Sequence, residues 1–267
     1  MNFFLRYICV YLKIVLFFFS SSAMSAQLLV GQQSYNSTFG GGGFTSVTLI
    51  PNFTQTPAVF VLPTTQGGDP SNVRVRNINT TSFQAAPTEP HREDGPHVAM
   101  QSTSIAVDKG NFTFPDGTKF EVGTANITDQ QFGTGNPGTS SWHQVTFNVA
   151  FNVAPIVVAT IQTMNNEVGE SGNFPPAVSS LPFLDVAIRN VTTTGFQLAL
   201  ERSEIQDGSV VTPETIAYLA MDPATGSFVD TNGNTVEYKA FSYDGARGWT
   251  DGCITSNFPG GAFRLLQ

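Results

Sequence analysis

His91, Glu93, Asp94 and His97 fall within seven residues of one another, and side chains of these types can hold a hard or borderline metal ion. Their spacing matches no zinc pattern. A carboxylate-bearing loop of this kind points to calcium, held by Glu93, Asp94 and His97, if it holds an ion at all; no other cofactor is implied. Further along, Glu201, Glu204 and Asp207 make a second acidic group without histidine. Glu201 and Glu204 sit on or just past one strand, pointing to opposite faces or away, and so cannot act as the facing carboxylates of a glycosidase. Arg74 and Arg76 recur in part as Arg189. Residues two apart on a strand share a face, so Arg74 and Arg76 could together grip an anionic or sugar ligand. No nucleophile elbow, zinc-protease helix, phosphate loop or dinucleotide fingerprint occurs, so the chain is not expected to be an enzyme.

Composition narrows the elements that could carry these residues. The 267-residue chain has a net charge of -8 with only 12 Lys and Arg and no basic run, so a nucleic-acid partner is not expected. Its 23 Phe and 12% charged residues suit a folded β-rich body. Residues 1–26 read as a signal peptide: Arg6 and Lys13, then Leu16 to Phe19, then a Ser-rich flank with small residues. The uncharged core after Lys13 is shorter than the roughly 20 residues of a membrane span. The expected location is therefore secreted or on a bacterial cell surface, with no membrane span once the signal is cleaved. Cleavage would remove Cys9 and leave Cys253 as an odd cysteine.

A duplication organises the rest. VRVRNINTTSF, Val73 to Phe83, returns as VAIRNVTTTGF, Val186 to Phe196. Val47, Phe53 and Pro57 are answered at an offset of 98 by Val145, Phe151 and Pro155, while the repeated strand is offset by 113. The difference, 113 minus 98, is a 15-residue insertion carried by the loop from Asn165 to Pro182. Asp116-Gly117 and Asn232-Gly233 mark matching hairpins. Short alternating strands separated by turn formers predict an all-β chain of two tandem small antiparallel β-sandwiches, each of about six strands. The expected spans are a flexible lead-in over 27–43, a first sandwich over 44–128, a linker over 129–141 and a second sandwich over 142–241. The tail, 242–267, reads as the start of a truncated third unit. Phe53, Phe60, Val75 and Phe83 should be core in the first sandwich, and Phe151, Val158, Ile188 and Phe196 in the second.

The order strand, Phe, Ala-Pro, apolar strand, variable loop, Thr-Gly-Phe and closing strand, ATIQT…TGFQLAL…TIAYLAM, resembles the H-type lectin domain. The paired units are also similar to the N-terminal repeats of secreted bacterial proteins of pilus agglutinin biogenesis, the MshQ type. The first resemblance implies compact antiparallel sandwiches that bind galactose-type sugars, often as trimers. Its Trp-His sugar-binding pair would fall on Pro90-His91 in the first copy and on Ser203-Glu204 in the second, so neither copy keeps the Trp. Together these features predict a carbohydrate-binding or adhesive module, with His91, Arg74, Arg76, Arg189, Glu201 and Glu204 as candidate contacts. Glycans, other surface proteins or further copies of the chain are the expected partners. The alternative is a structural surface or pilus-associated module with no ligand of its own.

Overall fold

A computed structural model describes residues 26–38, 43–61, 71–90, 97–131, 140–167, 181–203 and 208–242, and the backbone of 263–266. The described chain is all-β, with several antiparallel sheets in a sandwich-like arrangement. The first unit holds β1 (Leu28–Tyr35), β2 (Thr45–Thr48), β3 (Ala58–Val61), β4 (Asn72–Arg76), β5 (Ser82–Thr88) and β6 (Met100–Val107). They form two three-stranded sheets, β1-β6-β3 and β2-β5-β4. A hairpin of β7 (Gly110–Thr113) and β8 (Lys119–Ile127) leads into β9 (His143–Thr146), β10 (Ile156–Ile161), β11 (Leu184–Arg189), β12 (Gly195–Arg202) and β13 (Glu214–Met221). The second unit repeats the first: β10-β13-β8 carries β7 on its outer edge, and β11-β12-β9 faces it. The chain continues as a hairpin of β14 (Ala224–Val229) and β15 (Thr235–Phe241), and β16 (Phe263–Leu266) pairs with β15 in parallel.

The sheets redraw the expected spans in two places. Leu28–Tyr35, expected within a flexible lead-in, is a strand paired residue for residue with β6 from Leu28↔Val107 to Tyr35↔Met100. Its Gly-Gln-Gln-Ser centre conceals it, because an edge strand is held by backbone bonds and its polar side chains need no core. The first sandwich is also complete by Val107, since β8, expected at its end, is the first strand of the second unit and pairs with β13. Part of the expected linker is pinned as well: Leu200 N donates to the Asp129 carbonyl, and Gln131 N donates to that of Leu200.

Three apolar clusters explain why the units do not stand apart. One lies inside the first sandwich, around Tyr35, Val47, Phe53, Val75 and Phe83. A second lies inside the other sandwich, around Val145, Phe151, Leu184, Phe196 and Ile216. The third lies between units and gathers Leu28, Phe60, Ile105 and Val107 with Phe120, Ile156, Leu219 and Met221, and with Phe228, Val236 and Tyr238 of the last hairpin. Alternation along β3 shows the logic: Val59 faces the first cluster, while Ala58 and Phe60 face the third. A strand buried on both faces must read as an unbroken apolar run, as Ala58–Val61 does. Phe60 and Val158, expected inside their own sandwiches, thus pack between units, with Val158 only partly buried. Phe114 stacks on Phe228 at 4.7 Å between centroids, joining the two hairpins. Their turns match, with Gly117 and Gly233 at φ of 91° and 84°, a left-handed conformation in which glycine avoids the Cβ clash.

Candidate functional site

The junction between the units leaves a cleft of about 540 Å³. Ser71, Asn72 and Pro90 line it from the first unit, and Phe183, Asp185, Glu201, Arg202 and Ser203 from the second. Asp185 and Glu201 are directly opposed across β11 and β12, which places both carboxylates on the outer face of that sheet. One Asp185 oxygen accepts a 2.8 Å bond from Val186 N. Arg202 is turned aside by donating to the Gly208 carbonyl at 2.8 Å. Ser203 N is bonded to the Phe183 carbonyl at 2.9 Å, so the aromatic and the end of β12 are held together. The positions in the first unit that match Asp185 and Glu201 are Asn72 and Thr88, paired in the same register. The acidic pair therefore belongs to the second unit alone.

Of the described residues expected to contact a ligand, only Glu201 lies in this cleft. His91 and Glu204 lie outside the described residues, as do Glu93 and Asp94. His97 is in the core at 1% exposure. Its Nδ1 is 2.9 Å from the Val98 carbonyl, and its Nε2 is 3.5 Å from Glu89 Oε1. Among the described residues no three His, Cys, Asp or Glu side chains converge on a metal-sized site.

Arg74 is corrected outright. It is 2% exposed and forms a buried ion pair with Glu167 of the second unit, so it grips a neighbouring carboxylate instead of a ligand. Glu167 Oε1 also accepts the Leu184 N–H at 2.9 Å. Burial pushes the Glu167 pKa up against the pull of the Arg74 charge. Position 187 in the second unit, which matches Arg74, is Ala, so the ion pair is specific to this junction.

Arg76 and Arg189 are placed differently and alike. The Arg76 guanidinium lies 3.5 Å from the Phe44 ring centroid and that of Arg189 lies 3.9 Å from the Trp142 ring. Arg76 Nε donates to Gln84 Oε1 at 3.1 Å and Arg189 Nε to Gln197 Oε1 at 2.9 Å. Asn77 and Asn190 each donate 2.9 Å bonds to the same glutamine oxygens. Both asparagines have a φ of 51°. The aromatic and amide members were not foreseen. A signal existed, since Phe44 and Trp142 share the offset of 98 and Gln84 and Gln197 that of 113.

Halomucin of Haloquadratum walsbyi is similar to this chain, at 28% identity over 205 residues. The matched stretch is 70% of this chain and 2% of halomucin, so the chain spans a small fraction of that protein's length. No family model matches the chain, and no solved structure matches it. Among the described residues no helix is long and apolar enough to cross a membrane.

Proposed function

We propose that this chain is a carbohydrate-binding, adhesive module of a secreted or cell-surface protein, and that the cleft between its two units takes the sugar. The observation that carries this reading is the company Phe183 keeps. A saccharide ring offers an apolar face and a rim of hydroxyl groups, so its site needs an aromatic surface beside directional acceptors. Phe183, Asp185 and Glu201 supply these in one cleft, whose size falls within the roughly 300–1,000 Å³ of small-ligand sites. The H-type lectin resemblance supports the same place. Its Trp-His pair falls on Pro90-His91 and Ser203-Glu204, and Pro90 and Ser203 both line the cleft.

Binding of neutral and amino sugars to the purified protein tests this reading, with Phe183→Ala and Glu201→Gln as variants. A hydrogen bond to a charged acceptor contributes about 1.5–3 kcal/mol, so Glu201→Gln should weaken binding by about tenfold or more. Unchanged affinity in both variants would remove the sugar from the cleft.

A structural module without a ligand is the second reading, favoured by the apolar cluster that joins the units and the last hairpin. It predicts a folded protein that binds no glycan and self-associates with rising concentration.

A further inference from the structure

Phe44, Arg76, Asn77 and Gln84 in the first unit and Trp142, Arg189, Asn190 and Gln197 in the second are two copies of one arrangement. Some matched positions have drifted even in the core, although Val47 and Val145, Phe53 and Phe151, and Phe83 and Phe196 have not. Matched buried positions hold Leu28 and Phe120, Met100 and Glu214, or Leu29 and Glu121. Arg, Asn and Gln nevertheless stay the same at places that are half-buried or exposed, where packing constrains identity least.

A clamp for the turn would need only the asparagine and glutamine, which already bond each other. The arginine adds a charge whose plane is fixed by the ring and whose Nε is held by the amide. Among the described residues neither guanidinium has a further hydrogen-bond partner, so the Nη groups keep their donors. A guanidinium fixed in this way is a fork that matches a carboxylate with two parallel bonds, and its ordering cost is already met by the fold.

We propose that these two clusters are paired binding sites for the carboxylate groups of an acidic, uronate-type polysaccharide. The inference rests on the carbohydrate reading above for the polymer that carries the anion, but uses different residues. One arginine per cluster on a chain of net charge -8 suits anions spaced along a sugar chain better than the dense phosphates of nucleic acid. Because the units share a core, both sites ride on one body, and a polymer long enough to reach both would gain by avidity, which multiplies apparent affinity about 10²-fold or more.

The test is retention of the purified protein on immobilised alginate, dextran sulfate and neutral dextran across a salt series. Retention on alginate is expected, falling as salt rises, with little on neutral dextran; stronger retention on dextran sulfate would assign the site to sulfate esters and overturn the carboxylate assignment. Arg76→Ala or Arg189→Ala alone should weaken retention at least tenfold, and the two together should abolish it. Replacing both with Lys keeps the charges but loses the planar forks, and should also weaken retention; this pair is decisive if the Ala variants unfold. Equal retention of the folded double variants, or no retention of the wild-type protein on either acidic polymer, would overturn the proposal. Neutral-glycan binding is read on the same samples, so a blank in one with a signal in the other shows which reading has failed.

Discussion

The side-chain amide of Gln162 lies across the free edge of β3 and pairs with both backbone groups of Val59: Val59 N donates to Oε1 at 2.9 Å, and Nε2 donates to the Val59 carbonyl at 2.8 Å. One residue of the second unit thus imitates a neighbouring strand for the first. An exposed edge is an invitation to pair with another chain, and here it is closed from within. Gln162→Ala would leave two buried groups at Val59 unpaired, each costing about 1–3 kcal/mol. Chemical denaturation should show the loss as a lower midpoint; an unchanged midpoint would mean that this pairing does not join the units.

The Arg74–Glu167 ion pair should be stabilising only as a pair. Arg74→Met would leave a buried carboxylate without its counter-charge, at a cost of about 3–5 kcal/mol. Arg74→Met with Glu167→Gln should recover most of that loss while keeping an acceptor for Leu184 N. The single variant carries a pH signature. Burial raises the native pKa of Glu167 above its unfolded value, so the native state holds the proton more tightly, and stability falls as pH rises through that window. Acidification should therefore partly rescue Arg74→Met, and a variant whose melting temperature falls on acidification would contradict the assignment.

Alkaline unfolding should be led by three tyrosines, since burial and the neighbouring Glu121 carboxylate also push Tyr218 up. Burial pushes Tyr35 up to about 12, and burial with the nearby Asp116 carboxylate does the same for Tyr238. The unfolded chain releases these protons near pH 10 while the native state holds them, so stability present below pH 10 is lost between about 10 and 12. Tyr35→Phe should flatten this decline in a melting series, and an unchanged slope would show that Tyr35 ionises freely.

The units differ in how they tolerate one equivalent change. A methyl on Gly195 would meet the Val145 carbonyl oxygen at 2.2 Å, and backbone cannot step aside as a side chain can. Gly195→Ala should loosen β9 from β12 at a cost of about 1–3 kcal/mol. Ser82 holds the matching position in the first unit, opposite Thr48, so Ser82→Ala should be nearly neutral. Similar melting temperatures for the two variants would contradict this contrast.

The duplication, the strand pattern and the hairpin turns were legible because each is local: Asp116-Gly117 and Asn232-Gly233 announce their turns by chemistry alone. Partners from distant sequence were not legible. Arg74 and Arg76 stand two residues apart in one pattern, yet Glu167 arrives from 93 positions away to bury the first, while the second stacks on Phe44. Phe60 looked like the core of its own sandwich, since alternation says which residues share a face but not which neighbour covers it. Glu201 was singled out from its charge. Asp185 and Phe183 gained meaning only when the junction brought them beside it.

The most direct test of the carbohydrate reading is a broad glycan array probed with the purified protein, with calcium and again with chelator. The cleft predicts specific binding to a small set of glycans, unaffected by chelation and weakened by Phe183→Ala. A blank array from protein shown to be folded by its cooperative melting would contradict the reading and leave the structural module in its place.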